Sequence, residues 1–278
     1  MENKNFSVLQ KLNSDFEKVF SDAFYHIFLF DGEGKIQVDF VEYEFKGKTV
    51  FFTSPFQNIQ ILSKNTIDIQ MLSFHGDFYC IEFHKKEVAC NGLLFNNIYL
   101  FPHFSLAEST YDEIAEYFRK IKSINLSEDF SVAVLRSYLQ LILAISSKVK
   151  SKFLPEKGLI EKDFTGLKDF QNLVEQHFLE EKSPAFYADL LHISPNTLSK
   201  KIKTEFSKTP SQIIQERVIL EAKKQIHLTR KTMKEIAAEL HFEDEYYFSK
   251  YFKKHTGISP TQFREEAGIS IVADLYKQ

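Results

Sequence analysis

The C-terminal third of the chain contains one sequence pattern twice. The segment ADLLHI at 188–193 matches AAELHF at 237–242 at an offset of 49 residues. The segment LSKKIK at 198–203 matches FSKYFK at 248–253 at an offset of 50. The difference of one residue falls between the paired segments, where a turn accommodates an insertion most easily. Such an internal repeat indicates that one supersecondary structure is built twice.

Each repeat has the pattern of a helix, a short turn and a second helix. In the first repeat, Ser194 is predicted to cap the second helix and Pro195 to occupy its first position. In the second repeat, the helix within EDEYYFSKYFKKHTG is predicted to end at Gly257, because glycine accepts the left-handed conformation of a C-cap.

The second helix of each repeat is predicted to have one apolar and one polar face. Leu198, Ile202 and Phe206 share the apolar side in the first repeat, as Phe248 and Phe252 do in the second. The outward positions are Asn196, Ser199, Lys200 and Lys203 in the first repeat, and Tyr246, Lys250 and Lys253 in the second.

A polar face on a single surface helix is most often simply hydrated. Two such faces on repeated helix-turn-helix units favour DNA binding, because a helix fits the major groove. Lysine can reach guanine there and asparagine can pair with adenine. Lys201 and Lys254, beside the polar faces, are expected to contact phosphates.

Residues 169–266 resemble the DNA-binding domain of AraC-type (AraC/XylS) transcription regulators. The resemblance is carried by EIAAELHFEDEYYFSKYFKKHTGISPTQFR and by the preceding helix QERVILEAKKQIHLT, with Arg217 and Ala222. It implies two helix-turn-helix units joined by a long helix, whose second helices enter successive major grooves. Its base-reading positions fall on Asn196, Ser199, Lys200, Tyr246 and Lys250, with backbone contacts expected from Lys201, Lys203, Lys253 and Lys254.

Two features depart from the pattern that this resemblance implies. Ser207 stands where a glycine usually closes the first reading helix, so a left-handed conformation there would carry strain. The acidic run at 243–245 begins the second reading helix; acids stabilise a helix N-terminus, although they also repel phosphates.

The N-terminal half has the pattern of β-strands. KIQVDF alternates Ile36, Val38 and Phe40 with polar residues, TIDIQM does the same, and DGEG and KGK are predicted as turns between strands. This half resembles the cupin-like sensor barrels of such regulators. The expected fold is α+β with two domains: a barrel at about 20–104 and helices at about 109–150 within a sensor domain of 1–152, a linker at 153–168 and a DNA-binding domain at 169–270.

The two helices after the strands are predicted from their apolar periodicity. Ile114, Phe118 and Ile121 belong to the stripe of the first. The second is almost entirely apolar from 138 to 145, more than one packed face requires, so it is expected to dimerise the chain as well. Leu135, Leu139 and Ile142 are the predicted contacts; the alternative is a helix buried within its own domain.

Composition limits the class of protein. The net charge of −3 comes from 35 basic and 38 acidic residues, so any nucleic-acid contact must be local to one face. Cys80 and Cys90 lack zinc-site spacing, and the N-terminus lacks the pattern of a signal peptide. The apolar run VAVLRSYLQLILAI carries Arg136 and Gln140 and is shorter than a membrane span. A cytoplasmic location is expected.

The barrel shows no enzymatic motif. The paired histidines of a metal-dependent cupin are missing, and His75, Glu82, His84 and His103 form only a scattered set. Neither a catalytic residue nor a metal or other cofactor is therefore expected.

The favoured function is a DNA-binding activator that contacts RNA polymerase and is controlled by a small-molecule effector in the barrel. The effector would meet one face of FYHIFLF, either His26, Phe28 and Phe30 or Tyr25, Ile27 and Leu29. Two alternatives stay open: a cupin-type metalloenzyme fused to a DNA-binding domain, and a regulator whose barrel only dimerises.

Overall fold

The fold is taken from a computed structural model, which describes residues 5–63, 67–79, 92–153 and 165–269. The chain divides into two compact units. The first comprises Met1–Asn97 and Pro102–Phe153, and the second comprises Ile98–Phe101 and Leu154–Gln278. Most of the predicted linker, at 154–164, lies outside the described residues.

The first unit consists of an antiparallel sheet followed by two helices. Its elements are β1 (Phe6–Leu12), a 3-10 turn (Asn13–Phe16), β2 (Phe24–Val38), β3 (Val41–Thr53), β4 (Ile59–Ile61), β5 (Asp68–His75), β6 (His103–Ser105), α1 (Glu108–Ser123) and α2 (Ser131–Ser151).

A long hairpin of β2 and β3 is the centre of the sheet, and it differs from the sequence-based prediction. The predicted turns DGEG and KGK lie within these strands, where Gly32 pairs with Gly47. Both glycines have positive φ, which glycine adopts without steric cost, and the two strands stay paired through them. The chain reverses instead at Asp39, and Phe40, the last apolar residue of the alternating KIQVDF pattern, is exposed at this turn.

The sheet has the strand order β1-β5-β2-β3-β6, and β4 pairs with β2. Closure into a barrel is not confirmed, because in the described part of the chain β1 and β6 are unpaired edges of an open sheet. The fold class itself, α+β with an N-terminal sheet and a helical C-terminal domain, is confirmed.

Each face of the sheet packs into its own core. Ile27 and Leu29 join the core that α1 and α2 cover, together with Ile114 and Phe118. The opposite face carries an aromatic core whose members include Phe16, Phe28, Phe30, Phe45 and Phe51.

The second unit is helical. Its described elements are α3 (Thr165–His177), α4 (Pro184–Leu190), α5 (Pro195–Phe206), α6 (Pro210–Leu228), α7 (Met233–Glu239), α8 (Glu245–Thr256) and α9 (Pro260–Ala267). The 19-residue helix α6, about 28 Å long at 1.5 Å per residue, contacts each of the other six. Its buried residues Ile213, Val218 and Ile226 are spaced so that the helix contributes to the core along its whole length.

Candidate DNA-binding surface

The two helix-turn-helix turns have the same backbone geometry. His192 and His241, one after the C-cap of α4 and of α7, have φ of 53° and 54°. The N–H of the next residue bonds back in both turns, from Ile193 to the carbonyl of Ala188 and from Phe242 to the carbonyl of Ala237. Histidine is one of the non-glycine residues enriched in this left-handed region. The sequence repeat is therefore also a structural repeat, at the offset read from the sequence.

Helix α5 begins as predicted. The Ser194 hydroxyl accepts the backbone N–H of Thr197 at 3.1 Å, and Pro195 is the first helical residue. Leu198 and Ile202 are fully buried, and Phe206 is half-buried. The predicted base readers Asn196, Ser199 and Lys200 and the predicted backbone contacts Lys201 and Lys203 are all exposed.

Helix α8 presents the corresponding face of the second repeat. Phe248 and Phe252 are fully buried, whereas the Tyr246 side chain is 78% exposed. Lys250, Lys253 and Lys254 are also exposed. The structure therefore brings the predicted residues of each repeat to the outward side of its second helix.

The acidic start of α8 has a structural role. An Asp244 carboxylate oxygen accepts the backbone N–H of Tyr247 at 2.7 Å, which caps the helix. Asp244 thereby satisfies a helix N–H that otherwise lacks a partner.

Both reading helices end in the left-handed conformation. Ser207 has φ 55° and Gly257 has φ 83°, and each backbone N–H bonds to the carbonyl four residues earlier, at Lys203 and Lys253. The serine at the first C-cap does not change how the helix ends. It carries the strain that glycine avoids.

Exposed lysines lie on the outward faces of both reading helices. Lys200, Lys203, Lys250, Lys253 and Lys254 form no ion pair with any residue that the structure describes. Their ammonium groups are therefore not held by a carboxylate of the described residues, although the chain as a whole carries −3. A chain with a negative net charge can bind DNA only if its positive charge is concentrated on one face, and these lysines provide such a concentration.

Lys182 is a structural residue that the sequence pattern did not reveal. Its ammonium donates to the carbonyls of Leu179 and Leu240, at 2.8 and 3.2 Å, and lies 4.9 Å from the centre of the Phe242 ring. Burial lowers its pKa. Lys182 thus joins the segment before the first repeat to the turn of the second, through contacts distant in sequence.

The dimer contacts predicted on α2 lie inside their own unit. Leu135, Leu139 and Ile142 are at most 2% exposed and pack into the core beneath α1 and α2. A dimer interface formed by α2 would therefore have to use the side of the helix that does not face this core. By length and composition α2 is the one described helix that could span a membrane, but these buried residues make it part of a folded core.

The scattered metal candidates do not meet in the described structure. His75 lies 3.4 Å from Asp77, whereas the His103 ring stacks on Phe51 at a centroid distance of 5.1 Å. Glu82 and His84, like Cys80 and Cys90, lie outside the described residues. Burial, with a smaller effect from Lys150, lowers the pKa of His103 to about 4, so its ring is neutral at pH 7.

Comparisons with known proteins agree with this geometry. A family model described as a helix-turn-helix domain matches residues 187–266. The HTH-type transcriptional activator RhaS of Escherichia fergusonii is 22% identical over 172 residues, which cover 61% of this chain. The chain spans 59% of the length of RhaS. The transcriptional regulatory protein YesN of Bacillus subtilis is 38% identical over 82 residues, or 29% of this chain and 22% of YesN.

A crystal structure of an apo ToxT variant from Vibrio cholerae is similar over nearly the whole chain. The match covers 96% of this chain and 99% of ToxT, with 18% sequence identity and a TM-score of 0.41.

Proposed function

We propose that this chain, which is an AraC-type transcription regulator, reads a specific DNA sequence with α5 and α8 in successive major grooves. The observation that carries the proposal is the repeated turn at His192 and His241, each followed by a helix with an exposed lysine-bearing face. RhaS and YesN are named as transcription regulators, which supports a regulatory rather than a catalytic role for this chain.

Two reading helices on one connecting helix require a particular spacing of DNA contacts. Successive major grooves on one side of B-DNA recur about every 34 Å, or roughly 10 base pairs. The length of α6, about 28 Å, is compatible with that separation. The expected site therefore has two short conserved stretches whose centres are about 10 base pairs apart.

Selection of DNA from a random pool by the full chain, followed by footprinting, tests this function. Two protected stretches about one helical turn apart on one face of the duplex are expected. Recovery of no preferred sequence, or of a single short stretch, would contradict reading by two helices.

Activation through RNA polymerase is the proposed outcome of DNA binding. RhaS is named as a transcriptional activator, which supports activation here. A cytoplasmic location follows from the proposed contact with chromosomal DNA and polymerase. Transcription in vitro from a promoter carrying the selected site should rise when the protein is added, whereas a fall would indicate repression.

The first unit is proposed to bind a small-molecule effector on the aromatic face of its sheet. His26, Phe28 and Phe30 belong to this face, because Ile27 and Leu29 are covered by α1 and α2. A metabolite that raises the melting temperature and also changes DNA affinity would support this role. A ligand that stabilises the protein without changing DNA affinity or transcription would contradict it.

One observation favours a second candidate, a regulator whose first unit only dimerises. Phe28, Phe30 and Phe51 are fully buried on the proposed effector face, and Phe30 packs on Phe45 with ring centres 4.5 Å apart. An effector must displace some of these rings or enter beside them. The metabolite screen distinguishes the two candidates.

Dimerisation is proposed through the exposed side of α2. Val134, Tyr138, Leu141 and Ile145 follow one another at spacings of four, three and four residues, so they share one face of the helix. Val134 and Leu141 are about 40% exposed, and Tyr138 and Ile145 are half-buried. This apolar strip is the surface that a second copy would cover.

A further inference from the structure

Four residues from the first half of the sequence belong to the helical unit. Ile98–Phe101 is part of the second unit, although Asn97 and Pro102 on either side belong to the first. The buried Lys208 ammonium donates to the Ile98 carbonyl at 3.0 Å and pairs with Glu216 at 2.6 Å. Lys208 lies in the turn between α5 and α6, so these contacts hold the C-terminal end of the first reading helix.

Tyr99 attaches the same segment to two helices. Its hydroxyl donates to the Glu175 carboxylate on α3 at 3.0 Å, and Arg217 on α6 donates to that carboxylate at 2.8 Å. The Tyr99 ring lies 6.1 Å from the ring of Phe206, the last residue of α5. Burial, and secondarily the negative charge of Glu175, raise the pKa of Tyr99, so its hydroxyl keeps its proton.

The second repeat provides an internal comparison for this turn. At an offset of 50, Phe206 corresponds to Thr256 and Lys208 to Ile258. The Thr256 hydroxyl lies 2.9 Å from the carbonyl of Phe252 and 3.0 Å from that of Ile258, so the turn after α8 is stabilised by its own residues.

The turn after α5 lacks this hydroxyl and has a buried lysine in place of the isoleucine. Lysine is almost never buried without a partner. The Ile98 carbonyl and the Glu216 carboxylate are the partners of Lys208. The first turn is therefore completed by Ile98–Phe101, whereas the Thr256 hydroxyl bonds described for the second turn come from the repeat itself.

We propose that Ile98–Phe101 contributes to DNA recognition by the helical unit. Tyr99 and Lys208 are positioning residues that orient α5 and not α8. This inference rests on the proposed reading of DNA by α5 and α8. It follows that base recognition by the first repeat depends on residues far outside the C-terminal sequence domain, whereas recognition by the second repeat does not.

The test uses full-length protein and a DNA site selected with that protein. Lys200→Ala and Lys250→Ala first identify which base pairs α5 and α8 read. Tyr99→Ala and Lys208→Ile should then each weaken binding by about 2- to 10-fold, the factor that the loss of one hydrogen bond corresponds to. Discrimination should be lost only at the base pairs identified by Lys200→Ala.

Matched controls exclude general effects of the substitutions. Tyr117 also bonds a glutamate through its hydroxyl, at 2.9 Å, but within the first unit. Lys231 also pairs with a glutamate at 2.6 Å, but it is only half-buried and lies between α6 and α7. Tyr117→Ala and Lys231→Ile should leave base discrimination unchanged. If Tyr99→Ala does not fold, Tyr99→Phe removes only the hydroxyl and tests the same contact.

The double variant adds an independent criterion. If Tyr99 and Lys208 act through one segment, combining Tyr99→Ala with Lys208→Ile should cost less than the sum of the two single effects. The inference would be overturned if Tyr99→Ala and Lys208→Ile lost base discrimination equally at the sites of α5 and α8. It would also be overturned if neither variant changed base discrimination. If Lys200→Ala itself left discrimination unchanged, the proposed DNA reading would fail instead.

Discussion

At the scale of single residues, left-handed backbone positions determine how the reading helices are entered and left. His192 and His241 form the two turns, and Ser207 and Gly257 end α5 and α8. The sequence repeat pairs His192 with His241 and Ser207 with Gly257. Of these residue types, only glycine predicts a positive φ by itself. The conformation of the two histidines and the serine depends on packing around the turns, which the sequence pattern does not show.

Ser207→Gly is predicted to stabilise the protein by about 0.5 to 1 kcal/mol, because it removes the steric cost of a side chain in this conformation. Urea unfolding measures the effect. Gly257→Ser is the reciprocal change and should destabilise by a similar amount, since a Cβ at Gly257 would meet no atom within 4 Å. The two positions would not be equally strained if Ser207→Gly left the free energy of unfolding unchanged while Gly257→Ser lowered it.

Lys150, near the end of α2, makes stability depend on pH. Its side chain is buried, and burial lowers its pKa from 10.5 to about 8. Between these values the unfolded chain holds a proton that the folded chain has released, so the free energy of unfolding rises with pH. The full rise, from below pH 8 to above 10.5, is roughly 3 kcal/mol.

Urea unfolding between pH 7.5 and 9.5 checks this prediction. Lys150→Met should be more stable than the unmodified protein at pH 7.5 and should lose most of the upward slope. Lys148→Met, at an exposed neighbouring position, should keep the slope. Parallel pH profiles for the unmodified protein and Lys150→Met would contradict the shifted pKa.

At the scale of elements, α2 shows what periodicity can and cannot predict. Its helical conformation followed from the apolar spacing, but the helix is apolar on both sides, so the pattern did not distinguish the covered side from the exposed one. Leu139 and Ile142 face the core, and Val134 and Leu141 face outward. The β2–β3 hairpin shows a similar limit, because the pattern predicts turns at Gly32 and Gly47, whereas the two glycines lie opposite each other within paired strands.

The exposed side of α2 gives a direct test of dimerisation. Val134→Glu combined with Leu141→Glu should yield monomers by light scattering, because a dimer would bury two unpaired carboxylates. The fold should survive, since both positions are exposed in the single copy. Val19→Glu combined with Phe40→Glu alters apolar residues elsewhere that are even more exposed, and it should leave the dimer intact. A folded Val134→Glu, Leu141→Glu variant that stayed dimeric would move the interface to another surface.

At the scale of the whole molecule, the repeat was the most informative part of the sequence. It predicted two helix-turn-helix units, their caps at Ser194 and Gly257, and the buried and exposed faces of α5 and α8. The attachment of Ile98–Phe101 to the helical unit was not predictable. The segment has no periodicity of its own, and its role becomes visible only when Tyr99 meets Glu175 and the Ile98 carbonyl meets Lys208.

The proposal that both repeats read bases can be tested with Lys200→Ala and Lys250→Ala. The decisive measurement is the affinity of each variant for the selected site and for single-base variants of that site. Each substitution should cost about 1 to 3 kcal/mol on the selected site and relax preference at its own base pairs, about 10 base pairs from those of the other. Lys201→Ala and Lys254→Ala, as phosphate contacts, should weaken all sequences alike and reduce the salt dependence. If Lys250→Ala instead lost equal affinity for the selected site and for random DNA, α8 would be a backbone contact and reading by two helices would be contradicted.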